Sequence, residues 1–72
     1  MKRAMCQIRE ALVYRRAAFV TGLRAAGYRL EADVRDPTPD DVLVIWNRYG
    51  ENEAHARRFE KNGAKVVVVE NG

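Results

Sequence analysis

The chain has 72 residues, with 13 Lys and Arg against 10 Asp and Glu, a formal net charge of +3, one cysteine and one histidine. A single small domain of this size buries only about 60% of its unfolded surface. One cysteine excludes an intramolecular disulfide, and one cysteine with one histidine is too few soft ligands for a structural zinc site. Its apolar runs are too short to span a membrane and no signal-peptide core follows the basic N-terminus, so we expect a cytoplasmic protein without metal or cofactor.

The first segment, residues 2–9, is compatible with two structures. Its Ala, Met, Gln, Arg and Glu residues favour a helix, and apolar residues at helical spacing allow one long helix over residues 4–26. A strand over residues 3–8 would instead supply a neighbour for the buried strands that follow. Because those strands need covering, the packing argument favours the strand.

Residues 13–26 are predicted to form a helix with a small apolar stripe. Gly27 follows it, and helices commonly end at a glycine in the left-handed conformation. Gly22 lies inside the helix, where it costs roughly 1 kcal/mol of helix propensity. We attribute this glycine to a close approach between the helix and the sheet.

Three further strands and a second helix are predicted after Gly27. Residues 28–34 alternate apolar and charged, which indicates a half-exposed edge strand, and a loop with both prolines follows. Residues 41–47 contain five consecutive apolar residues and are predicted to form a strand buried on both faces. Residues 51–62 form the second helix, and the four valines of residues 65–70 predict a second fully buried strand.

The element order is therefore (β)αββαβ, which predicts one small α/β domain over residues 1–72. We expect a Rossmann-like unit of two or three layers with a mostly parallel sheet of three or four strands. The connection over residues 35–41 is short for a parallel return, because seven extended residues reach about 24 Å at most. An antiparallel pairing of the second and third strands therefore stays open.

Polar side chains gather where the strands of such a sheet end, which is where open parallel sheets bind ligands. The candidate ligand-binding residues are Tyr14, Arg15, Arg16, Asn47, Arg48, Tyr49, Asn52 and Asn71. Arginine suits phosphate or carboxylate, and tyrosine can stack on a base. Against a phosphate site, no glycine-rich phosphate loop is present, and Glu51 and Glu53 occupy the start of the second helix. Trp46 is either core or a stacking surface at the mouth of this cleft.

No residue group has the composition of a catalytic site or a metal site. The aspartates at positions 36, 40 and 41 precede the central strand, and turn or capping roles explain them. His55 has no cysteine, serine or paired carboxylate placed to work with it, and there is no nucleophile elbow. We therefore expect a binding protein that is not an enzyme on its own.

Three segments carry a family resemblance. They are residues 13–23, with Tyr-Arg-Arg and a later Phe and Gly, residues 41–49, with Val-Ile-Trp-Asn, and residues 66–72, with Glu-Asn-Gly. In these segments the chain resembles the N-terminal part of uncharacterised phage- and prophage-encoded proteins with a Rossmann-like, glycosyltransferase-like fold. The resemblance implies a phage origin and a strand at residues 3–8. It also implies a longer domain, of which residues 1–72 would be a truncated N-terminal half.

Three functions follow as hypotheses, in decreasing order of support. The first is a non-catalytic Rossmann-like module that binds a protein partner or forms a homodimer. The second is the nucleotide- or sugar-phosphate-binding half of a glycosyltransferase-like enzyme. The third is a weak nucleic-acid binder, which rests only on the mildly basic charge.

Overall fold

The computed structural model describes residues 1–8 and 13–69, apart from the side chains of residues 13–15. Its elements are β1 (Arg3–Gln7), α1 (Val13–Ala25), β2 (Arg29–Leu30), β3 (Val42–Ile45), α2 (Glu51–Lys61) and β4 (Lys65–Val68). The four strands form one parallel sheet in the order β2-β1-β3-β4. The predicted small Rossmann-like α/β unit is confirmed.

β1 lies inside the sheet and decides two of the open alternatives. In register, Ala4 has Leu30 on one side and Val42 on the other. The strand interpretation of the first segment is thus confirmed, and the long-helix alternative is wrong. The antiparallel alternative for the second and third strands is also wrong, since β1 separates β2 from β3 and pairs parallel with both.

The two helices cover opposite faces of the sheet and make a three-layer arrangement. On one face, buried residues of β1 and β3 pack against α2 in a core formed by Met5, Val34, Leu43, Ile45, Ala56, Phe59 and Ala64. On the other face, Ala4, Cys6, Ile8, Val42 and Val44 pack against partly buried residues that include Phe19, Val20 and Leu23 of α1. Right-handed crossovers that run outward from β1 and from β3 would place the helices in this way.

β2 is an edge strand, as predicted, but it is much shorter than residues 28–34. The chain leaves the sheet after Glu31, whose N–H donates to the carbonyl of Ala4 at 2.9 Å. Val34 then turns into the core beneath α2, where it is 1% exposed. The guanidinium of Arg58 donates to the Val34 carbonyl at 3.0 and 3.1 Å. The burial of Val34 and the hydrogen bonds from Arg58 therefore stabilise a loop at residues 32–34, where the alternating pattern had predicted a strand.

β4 was expected to be buried on both faces, and this prediction is wrong. Val66 packs against the core beneath α2, but Val67 and Val68 are 43% and 44% exposed. The reason is the strand order, because β4 lies at the edge of the sheet next to β3. α1 packs against β1 and β2, near the other edge of the sheet, so it does not cover β4.

Asp41 anchors the start of β3 and is fully buried. One carboxylate oxygen accepts the backbone N–H of Arg3 at 2.8 Å, and the other accepts the N–H of Thr38 at 2.8 Å and the Arg3 guanidinium at 2.9 Å. Burial alone would raise the pKa of Asp41, but the hydrogen bonds from Arg3 and Thr38 outweigh it and lower the pKa to about 2. The predicted turn role of Asp41 is thus one part of a larger anchor between β1, β3 and the loop before β3.

Gly22 does not make the close approach that its position suggested. A Cβ atom at Gly22 would have no described atom within 4 Å apart from the backbone of its own helix, and the residue is exposed. We therefore expect Gly22→Ala to raise the free energy of unfolding by roughly 0.5–1 kcal/mol, because alanine is the better helix former. Urea unfolding measures this, and destabilisation would show that α1 needs the glycine.

Candidate functional site

The strand order reverses between β1 and β3, so the chain has a topological switch point at the carboxyl ends of these two strands. A cleft of about 700 Å³ opens there, lined by Gln7, Trp46, Asn47, Tyr49, Gly50, Glu51 and Asn52. Open α/β sheets bind their ligands at this place, and the volume lies within the range of small-molecule sites. We call it the switch-point cleft.

A tight turn between β3 and α2 presents the cleft residues. Asn47 follows the strand, and its side-chain oxygen accepts the backbone N–H of Tyr49 at 3.1 Å, a typical turn contact. Gly50 has φ 56° and ψ −129°, a conformation that non-glycine residues rarely adopt, and α2 begins at the next residue. The glycine thus allows the chain to pass directly from the end of β3 into the helix.

Arg48 lies beside the cleft, and its positive charge is offset within the chain. Its guanidinium bonds the Glu53 carboxylate at 2.7 Å and the Glu60 carboxylate at 2.9 Å. The hydrogen bonds with Glu60 and then Glu53 raise the pKa of Arg48. In return, Arg48, followed by Arg57, lowers the pKa of Glu53. Arg48 thus joins the β3–α2 turn to α2 over most of the helix length.

Arg16 is tied to the end of β1. Its Nη1 donates to the carbonyl of Cys6 at 2.8 Å and to that of Ile8 at 3.3 Å. It also lines a second cleft, of about 430 Å³, with residues of β1 and of the chain around Glu31. Arg16 therefore holds the carboxyl end of β1 and does not line the switch-point cleft.

The structure brings three of the eight predicted residues together, since Asn47, Tyr49 and Asn52 all line the switch-point cleft. Arg48 is next to them and ion-paired, and Arg16 lines the second cleft. Asn71, together with the side chains of Tyr14 and Arg15, falls outside the described residues.

Two lining residues have roles that the sequence did not specify. Gln7 was not predicted, although it is the last residue of the strand that pairs with β3, and this position is the signal that could have found it. Trp46 combines both of its predicted alternatives. It is half-buried, packs against the core on the α1 side, and lines the cleft.

His55 and the acidic residues provide no further site in the part of the chain that the structure describes. His55 Nδ1 lies 3.2 Å from Nη1 of Arg58, on the arginine that binds the Val34 carbonyl. No group of three or more His, Cys, Asp or Glu side chains among the described residues could hold a metal ion. Neither described helix has both the length and the apolar character needed to cross a membrane.

Comparisons of this chain with protein-family models, with curated proteins and with solved structures find no match. Its function is therefore inferred from its own residues and their geometry.

Proposed function

We propose that this protein is a small non-catalytic α/β module that acts by strand pairing at β4, with a second copy of itself or with another protein. The observation that carries the proposal is the exposed edge of β4. This strand has four residues and a valine-rich surface, and within the described residues it pairs with β3 alone.

The hydrogen-bonding groups of β4 alternate between β3 and the outside. The N–H of Lys65 donates to the Asp41 carbonyl, and the N–H of Val69 donates to the Ile45 carbonyl. In a parallel strand, every second residue bonds to the same neighbour. Val66 and Val68 therefore direct their N–H and C=O groups outward, where another strand can accept and donate.

The two edges of the sheet differ in how they are protected. β2 has two residues, and it carries the charged Arg29, whose guanidinium is paired with Glu31 at 2.7 Å. Short strands and charged side chains are the usual protection of a sheet edge against pairing. β4 has twice the length, carries its one charged residue, Lys65, at its first position, and presents Val67 and Val68 beyond it. An edge left in this state suits strand addition as a mode of binding.

Self-association is the simplest form of this activity, because the edge of β4 is self-complementary. An antiparallel pair with its two-fold axis at Val67 places Val66 of one copy opposite Val68 of the other. Such pairs exchange both N–H···O bonds, and a two-fold interface uses the same surface of both copies. The result would be an eight-stranded sheet that continues through two molecules.

The other two hypotheses receive less support from the geometry. A nucleotide or sugar phosphate needs a free cation, and Arg48, which lies next to Asn47 and Tyr49 of the cleft, is engaged by Glu53 and Glu60. A nucleic-acid surface needs a basic patch, whereas Arg29, Arg48 and Arg57 are each paired with a carboxylate.

Sedimentation velocity of the full chain over a range of concentrations tests the proposal. We expect a reversible dimer, which a proline at position 68 removes. A chain that stays monomeric at every concentration, and that binds no extended peptide, would contradict the proposal.

A further inference from the structure

We propose that the switch-point cleft binds an uncharged ligand with several hydroxyl groups, such as a free pyranose or the ribose of a nucleoside, and that it disfavours the phosphorylated form. This site is separate from the edge of β4. The proposal depends on the cleft and its lining residues, so its test is independent of the test of strand pairing.

The charges around the cleft argue against a phosphate. Among the lining residues that the structure describes, the one charged side chain is Glu51, an exposed carboxylate at the first position of α2. The nearby guanidinium of Arg48 is held by two carboxylates at 2.7 and 2.9 Å. A phosphate would therefore approach Glu51 and would have to displace Glu53 or Glu60 from Arg48. The repulsion between the phosphate and Glu51 and the loss of an ion pair both disfavour binding.

The hydrogen-bonding groups fit hydroxyls. Gln7, Asn47 and Asn52 line the cleft, and each side-chain amide has both a donor and an acceptor end. The oxygen of Asn47 accepts the Tyr49 N–H, which fixes the amide so that its NH₂ group supplies the donors. Glu51 supplies acceptors. A hydroxyl group both donates and accepts, so a ligand with several hydroxyls can satisfy this mixture without carrying a charge.

Two aromatic side chains give the cleft apolar surface beside these polar groups. Tyr49 is 75% exposed, and the half-buried Trp46 lines the cleft from the end of β3. Small-molecule sites combine apolar and aromatic walls with a few convergent polar groups. A ring whose flat face is made of C–H groups and whose rim carries hydroxyls matches both kinds of surface.

Titration of the ¹⁵N-labelled full chain, followed by amide NMR, tests this proposal with three probes: D-glucose, uridine and uridine diphosphate. We expect glucose or uridine to shift the signals of Gln7, Asn47 and Asn52. Glucose alone would identify a free sugar as the ligand, and uridine alone would identify a nucleoside. Uridine diphosphate should bind no more tightly than uridine.

Two variants and one matched control test the residues on which the proposal rests. Asn47→Asp keeps the oxygen that accepts the Tyr49 N–H but loses the NH₂ donors, so we expect about five- to tenfold weaker binding, the cost of one hydrogen bond. The matched control is Asn62→Asp, at the exposed C-terminal cap of α2, which should bind like the unmodified chain. Arg48→Gln removes the ion-paired cation and should leave the ratio of the affinities for uridine and uridine diphosphate unchanged.

Three results would overturn the proposal. The first is uridine diphosphate binding ten times more tightly than uridine, with that gain lost in Arg48→Gln. The second is an Asn47→Asp variant that binds as well as the Asn62→Asp control. The third is that none of the three probes shifts any signal of the cleft. Strand pairing at β4 would then remain as the proposed activity.

Discussion

Asp41→Asn should lower the free energy of unfolding by about 2–3 kcal/mol, because each buried hydrogen-bonding group left without a partner costs about 1–3 kcal/mol. The buried carboxylate accepts bonds from two backbone N–H groups and from the Arg3 guanidinium. An asparagine has one acceptor oxygen, so its NH₂ group must face at least one of these donors. A domain of this size has a total stability of roughly 4–11 kcal/mol, so the loss is a large fraction of it.

Urea unfolding of Asp41→Asn, compared with urea unfolding of the control Asp40→Asn, measures this effect. Asp40 is the adjacent aspartate and is exposed, so its substitution makes the same change in charge without touching the anchor. We expect Asp40→Asn to change the stability by less than about 0.5 kcal/mol. Equal effects of the two substitutions would show that net charge, and not the buried hydrogen bonds, determines the result.

The same anchor predicts a dependence on pH. The pKa of Asp41 falls from 3.8 in the unfolded chain to about 2 in the folded protein. A group with a lowered folded pKa stabilises the protein fully above its unfolded pKa, and this contribution is lost as the pH falls towards the folded pKa. The stability gap between the unmodified chain and Asp41→Asn should therefore be widest above pH 5 and should close as the pH approaches 2. A gap that stays constant from pH 6 to pH 2 would show that the pKa of Asp41 is not lowered.

Val68→Pro should abolish self-association while the fold survives. The N–H of Val68 points away from β3, the residue is 44% exposed, and proline is tolerated in edge strands where the missing N–H faces outward. In a two-fold pair, each copy loses the donor that the other copy needs. Val67→Pro is the matched contrast, because the N–H of Val67 belongs to the ladder with β3 and its loss should destabilise the fold itself.

A charge placed on the same edge provides a second route to the same result. Val67 lies at the two-fold axis of the proposed pair, so Val67→Lys sets two like charges directly opposite each other. We expect the dissociation constant of the dimer to rise by about tenfold or more. Ala32→Lys adds the same charge at an exposed position after β2, on the other side of the sheet, and should leave the dimer intact. Dimers that persist in both Val67→Lys and Val68→Pro would place the interface elsewhere.

The elements that depend on local sequence could be predicted well. α1 and α2 end where glycine was expected to stop them, and Gly27 and Gly63 have φ of 92° and 77°. Both helices and the buried strand β3 follow from apolar spacing and residue type over a few positions. The βαββαβ order and the parallel sheet are confirmed, but β1 was predicted from the need of the later strands for a neighbour and against the helix propensity of residues 2–9.

The features that depend on strand order could not be predicted in the same way. Four valines in β4 suggest burial on both faces, but whether a strand is central or at an edge depends on how distant segments pair. β1 takes the position between β2 and β3, which leaves β4 at the edge. β4 therefore has the apolar sequence of a buried strand at an exposed edge of the sheet. The proposed function rests on this exposed apolar edge.

The position of three candidate residues at one cleft could be predicted, but the electrostatics of the cleft could not. Asn47, Tyr49 and Asn52 follow β3 directly, so a local argument suffices to bring them to one cleft. Arg48 also follows β3, but its role depends on Glu60, twelve residues further on, which α2 brings within 2.9 Å. An arginine that reads as an anion-binding group in sequence is thus neutralised by the fold.

Hydrogen exchange of the amides of β4, measured at low and high protein concentration, tests strand pairing most directly. The N–H of Val67 belongs to the ladder with β3 and should be protected at both concentrations. The N–H groups of Val66 and Val68 should exchange rapidly in the dilute protein and become protected as the concentration rises. If their exchange stays rapid at concentrations where the protein is dimeric, the edge of β4 is not the interface and the account is wrong.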